Sequence, residues 1–148
     1  MSTVVRVTEI IANVAPQKAF DYVSDLTKHP EWSGGELKIE AVGSGAVVVG
    51  KEYLSKGQVA TEKDRPNLLE VTEFEPPHKF SFVAKDPDFG KVFHVFTFTP
   101  QSGSTLIKRT TTLNLKPMIA FAFRLFIYPL IGGPMNKKAF ARLKANLE

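Results

Sequence analysis

The chain has 148 residues, of which 43% are hydrophobic, with a net charge of +4 and no cysteine. This length favours one domain over residues 1–148, with enough apolar side chains for a sizeable core. The lack of cysteine excludes disulfides and thiolate metal sites, and a modest charge spread along the chain is not typical of a nucleic-acid binder. The sequence shows no signal-peptide pattern, so we expect a cytoplasmic protein. We also expect no cofactor, no bound metal and no nucleic-acid partner.

One strand and two short helices are predicted at the start of the chain. The β-branched residues over 3–11 predict a strand. Pro16 fits the first turn of a helix over 16–26, which carries apolar residues on one face. A second short helix is predicted over 25–29, and Pro30 ends it because the residue before a proline avoids the α-helical region.

Six further segments are predicted to be strands joined by short turns. Apolar and polar residues alternate along them, and glycine and proline stand at their ends. Gly57, inside the second of the six, predicts a bulge or a close backbone approach. Consecutive strands with short connections usually pair antiparallel as a meander. The six segments are 36–43, 50–61, 66–75, 79–84, 91–99 and 105–115.

The longest helical segment, 116–148, ends the chain. Its first half, 118–131, is apolar on almost every side, and its second half is amphipathic. Pro129 and Gly132-Gly133-Pro134 are predicted to kink or interrupt the helix between the halves. A helix this apolar needs cover, and a seven-stranded sheet needs a partner for its apolar face. The sequence therefore predicts an α+β fold with the helix lying across the sheet.

The apolar segment 118–131 raises the question of a membrane span. It has 14 residues and contains Arg124 and Pro129, whereas a span needs about 20 apolar residues. We therefore interpret it as a buried or pocket-covering helix. Peripheral contact with a lipid surface is the alternative.

Several local sequences, spread over nearly the whole chain, follow the order of the predicted elements. They are Ala15-Pro16-x-x-Ala19-Phe20-x-x-Val23-Ser24-Asp25, His29-Pro30-Glu31-Trp32, Val71-Thr72-Glu73-Phe74-Glu75-Pro76-Pro77, Phe96-Thr97-Phe98-Thr99-Pro100 and the closing Phe140-Ala141-Arg142-Leu143-Lys144-Ala145-Asn146-Leu147-Glu148. Together they resemble the START-like (SRPBCC) superfamily, in its polyketide cyclase/dehydrase-type branch. Gly103-Ser104-Thr105 departs slightly from the Gly-Thr pair that this family usually has.

The resemblance implies a helix-grip fold. In this fold a curved antiparallel sheet of seven strands wraps a long C-terminal helix, and a cavity lies between them. Two short helices follow the first strand. The superfamily includes cyclases, dehydrases and lipid carriers, so the function has to be argued from the site.

Two polar residues are candidates for contact with a ligand. His94 shares its strand face with Phe96 and Phe98, so an inward face would place an imidazole in an apolar wall. There it could bind a polar group of a ligand or act as a general base; the alternative is a half-buried or outward histidine without a role. Arg109 shares its face with Ile107 and could reach inward to a ligand carboxylate, or lie along the outer face.

Aromatic residues are the candidates for the cavity wall. By resemblance, Trp32 lies near the cavity mouth; the alternative is a loop in which it is a packed anchor. Asp21, Asp25 and His29 have a spacing that resembles a metal site, but the predicted helix break blurs their register, and we interpret the carboxylates as solvated. Periodicity does not separate core from pocket lining for the remaining candidates, which are Phe80, Phe82, Phe96, Phe123, Phe126 and Ile127.

The sequence therefore predicts binding of a small hydrophobic ligand, of lipid, polyketide or aromatic type, between the sheet and the C-terminal helix. A second hypothesis is a polyketide cyclase/dehydrase-like enzyme that uses a cavity histidine or acid as general base. A third is a peripheral-membrane or protein-partner module that uses exposed aromatic residues over 123–128. The sequence leaves the oligomeric state open.

Overall fold

A computed structural model describes residues 2–34, 37–59, 62–87 and 90–148. Parts of the predicted strands 36–43 and 50–61 lie outside these residues. The strands are β1 (Ser2–Ala12), β2 (Lys38–Ala41), β3 (Glu52–Val59), β4 (Glu62–Glu75), β5 (Lys79–Asp86), β6 (Gly90–Gln101) and β7 (Ser104–Leu115). The helices are α1 (Pro16–Ser24), α2 (Pro30–Ser33) and α3 (Pro117–Leu147), with a 3-10 turn at Leu26–Lys28.

The seven strands form a single antiparallel sheet in the order β1-β7-β6-β5-β4-β3-β2. Strands β2 to β7 pair with their sequence neighbours, and β1 adds to the free edge of β7. The predicted meander and the predicted helix-grip fold are therefore confirmed. The register shifts at Gly57, as predicted, and shifts again between Val71 and Glu73. Such bulges bend a strand and increase its twist.

The core lies under one half of the sheet. The second half of α3 buries Ala139, Phe140, Leu143 and Leu147 there. The Phe140 ring meets the Trp32 ring edge to face, with 5.8 Å between their centroids. Such aromatic pairs add about 0.5–1.5 kcal/mol beyond the burial of their area. This contact fixes the end of α3 over the sheet.

Trp32 lies in a short helix and not in a loop. Pro30 was predicted to end a helix, but it occupies the first turn of a new one, α2, where its missing N–H leaves nothing unsatisfied. The Nε of Arg142 donates to the Trp32 carbonyl oxygen at 2.9 Å. This bond ties α2 to α3 and holds the indole in the core.

The long helix is continuous, and the predicted interruption is wrong. Residues Phe123–Gly132 form a π-helical segment that contains Pro129. A π-helical turn is wider than an α-helical one, so it accommodates the proline ring that would clash with the carbonyl of residue i−4 in an α-helix. The prediction that the sheet covers this segment on most sides is also wrong, because none of its ten residues is buried.

Cationic side chains of α3 donate hydrogen bonds to backbone carbonyl oxygens on the outer edge of β1. Arg124, on α3, donates to the Thr3 carbonyl oxygen at 2.7 Å. Lys144, near the end of α3, donates to the Ile11 carbonyl oxygen at 2.9 Å. The helix is therefore attached to both ends of this edge strand.

Replacement of a phenylalanine by alanine should change the free energy of unfolding differently in the two halves of α3. Phe140→Ala removes a fully buried ring and should lower the free energy of unfolding by about 3–5 kcal/mol. Phe121→Ala is the matched control, since Phe121 is 62% exposed and its loss should change stability by no more than about 0.5 kcal/mol. Urea unfolding measures both values, and equal losses would contradict this division of the helix.

Candidate ligand-binding cavity

A cavity of about 410 Å³ lies between the sheet and the first half of α3. Ligand sites commonly have volumes of roughly 300–1,000 Å³. Most of the wall is apolar, and the polar residues that the described part of the chain contributes to it are a histidine, an asparagine and an aspartate. The lining residues are Asn67, Ala84, Asp86, Val92, His94, Leu113, Leu115, Ile119, Phe123 and Ile127.

The cavity exists because small side chains face α3 on this half of the sheet. Ile119, Phe123 and Ile127 recur every four residues and give the helix one inner stripe above the cavity. Below them the sheet presents Ala84 and Val92. These residues are paired across β5 and β6, and neither is large enough to fill the gap. On the other half, large aromatic rings fill the same space.

His94 lies on the inner face together with Phe96 and Phe98, which resolves the two alternatives that the sequence left open. Its ring stacks on Phe82, with 4.8 Å between centroids, and borders the cavity on the other side. Its Nδ1 lies 3.2 Å from the Thr111 hydroxyl oxygen. Burial, together with the nearby positive charge of Arg109, lowers the pKa of His94 to about 3. The imidazole is therefore neutral at physiological pH.

Arg109 also lies on the inner face, two residues further along the paired strands than His94 and closer to the core. Its guanidinium lies over the Phe140 ring at 5.1 Å and over the Phe96 ring at 5.9 Å. Nη2 donates to Asn136 Oδ1 at 2.9 Å, whereas the buried Nε has no hydrogen-bond partner in the part of the chain that the structure describes. Burial lowers the pKa of Arg109 to about 10, so the group stays cationic at neutral pH.

No carboxylate of the described residues neutralises the charge of Arg109. Among the ion pairs of the described residues, none involves this guanidinium. A buried cation without a counter-ion is unfavourable unless something else stabilises it. The arrangement leaves a positive potential behind the polar end of the cavity.

His29 and Trp32 lie behind the cavity, in the core. The His29 ring packs against Phe82 and Phe96, and its Nε2 lies 2.7 Å from the Val23 carbonyl oxygen. Burial lowers the pKa of His29 to about 4. Trp32 is fully buried, and its indole N–H has no hydrogen-bond partner among the described residues. The position near the cavity mouth that the resemblance implied for Trp32 is therefore wrong.

Several predicted wall residues do not line the cavity. Phe80 and Phe96 are fully buried in the core, because α1, α2 and the second half of α3 cover that part of the sheet. Phe82 lies between the core and His94. Phe126 is 58% exposed on the outer side of α3, so its predicted place in the wall is wrong. The structure brings together His94, Phe123 and Ile127 from the predicted set.

Two polar wall residues were missed by the sequence analysis. Asn67 Nδ2 donates to Asp86 Oδ2 at 3.2 Å, and both residues line the cavity. Asp86 precedes a proline and lies beyond the predicted strand 79–84. In the structure it ends β5, on the same face as Phe82 and Ala84. Asn136, the partner of Arg109, was also missed, since a lone asparagine on a long helix gives no signal.

The spacing of Asp21, Asp25 and His29 does not assemble a metal site. Asp25 accepts hydrogen bonds from Thr27 and caps the 3-10 turn. Asp21 accepts a hydrogen bond from Gln17, and the His29 ring is hydrogen-bonded to a backbone carbonyl oxygen. Within the described ranges, no group of three or more His, Asp or Glu side chains could hold a metal ion.

The fold and the cavity define a class of protein: a helix-grip domain with a pocket between its sheet and its C-terminal helix. The sequence of residues 2–148 matches the family described as polyketide cyclase / dehydrase and lipid transport, and the chain belongs to this family. Membership supports a ligand-binding or cyclase role in general. No curated protein matches the chain by sequence.

Solved structures share the fold at low sequence identity. Norcoclaurine synthase from Thalictrum flavum is 24% identical, with a TM-score of 0.69 over 99% of this chain and 88% of that one. The protein Ara h 8.0201 is 14% identical, with a TM-score of 0.68 over 99% of this chain and 98% of that one. The di-domain ARO/CYC protein BexL, from the BE-7585A biosynthetic pathway, is 11% identical, with a TM-score of 0.76 over 99% of this chain and 50% of that one.

The two buried histidines predict a loss of stability in mild acid. Their pKa values in the folded state, about 4 for His29 and about 3 for His94, lie below the unfolded value of about 6.5. Below that pH the unfolded chain binds protons that the folded chain does not, so the free energy of unfolding falls as pH falls. Each imidazole contributes a slope of up to about 1.4 kcal/mol per pH unit.

Urea unfolding of the wild type and of His94→Gln, at several pH values from 7 to 5, checks this effect. The carboxylates are common to both proteins, so the difference between the two slopes isolates His94. The variant should have a slope smaller by up to about 1.4 kcal/mol per pH unit. Identical slopes would show that the His94 ring is protonated as easily when folded as when unfolded.

Proposed function

We propose that this protein binds a small, mainly hydrophobic ligand whose polar group lies at the His94 end of the cavity. The observation that carries the proposal is an apolar cavity of about 410 Å³ with a histidine in its wall and a buried cation behind it. A fully packed core would have filled this volume with side chains. Here the volume is bounded by Ile119, Phe123 and Ile127 on one side and by the sheet on the other.

Burial of apolar ligand surface supplies the binding free energy. At about 25 cal/mol per Å², each 100 Å² of ligand surface removed from water contributes roughly 2.5 kcal/mol. Loss of translational and rotational freedom opposes binding, so only part of this appears as affinity. The small, mostly aliphatic cavity therefore favours a ligand with few rotatable bonds.

The polar end of the cavity determines the orientation of the ligand. His94 is neutral, and only one of its ring nitrogens has a protein partner among the described residues. The other, Nε2, can exchange a hydrogen bond with a ligand. Arg109 adds a positive potential from behind. A hydroxyl, carbonyl or carboxylate oxygen on the ligand suits this end better than an amine.

The comparisons support a ligand of this kind. The family description joins cyclases and dehydrases with lipid transport, and the norcoclaurine synthase of Thalictrum flavum has been solved in complex with dopamine and hydroxybenzaldehyde. Those compounds are small and aromatic, with oxygen substituents. They belong to that enzyme, and they indicate the size and character of molecule that a helix-grip cavity accepts.

A second candidate function is cyclase- or dehydrase-like catalysis by His94 and Asp86, since both line the cavity. His94 pairs with Phe82, four residues before Asp86 on the same face of β5, which separates the two groups by about 13 Å along the strands. They do not form a hydrogen-bonded pair at that distance. A histidine with a pKa of about 3 is also a weak base at neutral pH. Binding without catalysis therefore takes precedence.

Substitution of a wall residue tests the cavity. Leu113→Glu places a carboxylate in the apolar wall, so binding of an apolar probe such as 2-naphthol should weaken roughly tenfold or more. The matched control is Leu54→Glu on β3, where the side chain is 52% exposed; it should bind as the wild type does. Probe fluorescence gives the affinities, and circular dichroism verifies the fold. Unchanged binding in a folded Leu113→Glu variant would contradict the proposed site.

A pair of probes tests the polar end. Arg109→Met keeps an unbranched apolar side chain and removes the guanidinium charge, so binding of 2-naphthoate should weaken about 10- to 100-fold, because the variant loses the positive potential behind the polar end of the cavity. Binding of 2-naphthol should change by less than about threefold, since a neutral hydroxyl depends little on a positive potential. Lys108→Met, on the opposite face of β7, is the control. An equal loss for both probes would mean that Arg109 acts only through packing.

A further inference from the structure

The outer side of the first half of α3 is a continuous apolar surface without cover. Met118 is 86% exposed, Phe121 62% and Leu130 72%. A surface of this kind usually marks a binding interface, because monomeric soluble proteins seldom expose so many large apolar side chains together. We call it the outer apolar face; its members are Met118, Phe121, Leu125, Phe126, Leu130, Ile131 and Met135.

The charged residues of α3 itself are all basic, although Glu9 of β1 lies beside Pro129 and Lys137 at one end of this face. Residues 89–147 contain no aspartate or glutamate, although the whole chain has 15. Lys116 precedes the outer apolar face, Arg124 lies within its sequence, and Lys137 and Lys138 follow it, all four exposed. Basic residues beside an exposed apolar helix surface match the anionic headgroups and the acyl chains of a lipid surface.

The position of α3 in the fold decides between lying on a bilayer and crossing it. The helix has 31 residues and an apolar composition that would suffice for a span. Its second half, however, buries Phe140, Leu143 and Leu147 in the core. A crossing helix would have to leave that core. A helix that stays packed against the sheet can insert its outer face only to about 5–10 Å, which is the depth of an interfacial helix.

The inner side of the same helical segment lines the cavity. Ile119, Phe123 and Ile127 face the sheet, while Phe121 and Leu130 face outward. A bilayer at the outer apolar face would therefore lie one helix diameter, about 10–12 Å, from the cavity. The π-helical segment Phe123–Gly132 separates the two.

We propose that the outer apolar face of α3, with its lysines, docks the protein on anionic lipid bilayers without spanning them. The contact goes beyond ligand binding, and it holds whether or not the cavity is occupied. The observations that carry it are the uncovered apolar face, the exclusively basic charged residues of α3, and the packing of the second half of α3 in the core.

Co-sedimentation with vesicles tests the proposal on the full chain. We expect the wild type to bind vesicles of phosphatidylcholine mixed with phosphatidylserine, and to stay in solution with phosphatidylcholine alone. The triple variant Phe121→Gln, Phe126→Gln, Leu130→Gln should bind the mixed vesicles roughly tenfold more weakly or worse, since it loses the inserted side chains. Val48→Gln, Val49→Gln, Leu54→Gln changes three exposed apolar residues elsewhere and should bind as the wild type does.

The lysines are tested separately. Lys137→Gln with Lys138→Gln should weaken binding on the order of 25-fold, and added salt should weaken wild-type binding in the same direction. Binding of 2-naphthol by the triple variant, which keeps the cavity wall, should be unchanged, so this readout fails only if the ligand site is wrong.

Three results would overturn the lipid proposal. Wild-type sedimentation at background with the mixed vesicles would remove it directly. Equal binding by the outer-face triple variant and its control would show that another surface contacts the lipid. A concentration-dependent dimer in light scattering, abolished by the triple variant and accompanied by no vesicle binding, would assign the face to a second copy of this chain.

Discussion

The packing of Phe140 against Trp32 is the contact on which the rest of the structure depends. It anchors one end of a rigid helix to one half of the sheet, at a place where Arg109 also lies over the Phe140 ring. Because the helix is continuous, its other end must pass over the remaining half at a height set by this anchor. Small residues on that half of the sheet then leave the cavity open. The packed core and the cavity beside it therefore both follow from the position at which Phe140 and Trp32 anchor α3.

The buried guanidinium connects stability with recognition. In a molecule selected only for stability, Arg109 would be paired with a carboxylate or replaced by an apolar residue of similar volume. Instead, among the described residues, it has the amide partner Asn136 and a buried N–H without a partner. Stacking on two aromatic rings offsets part of the desolvation cost. The proposed ligand site would account for this buried cation, which core packing alone does not explain.

The sequence predicted the meander of β2 to β7, and the resemblance implied the helix-grip fold. Alternation along a strand showed which side chains share a face with His94 and Arg109, but it left open whether that face points inward. Alternation contains no information on depth, so it could not separate Phe80 in the core from a residue in the wall. The apolar segment 118–131 lacks a polar face, so its sequence did not show that Phe126 points outward. Asn67 and Asp86 were missed because polar residues near a turn are indistinguishable from solvated ones. The ligand and the location in the cell stay predictions.

The edge strand β1 has a further consequence for the behaviour of the chain in solution. It is eleven residues long and exposes Val5, Val7 and Ile11, a composition that invites another strand to add to it. Yet carbonyl oxygens at both ends of this strand already accept hydrogen bonds from Arg124 and Lys144. An incoming strand would have to displace two charged groups before it could form a ladder. The terminal helix thus protects the molecule against edge-to-edge aggregation at high concentration.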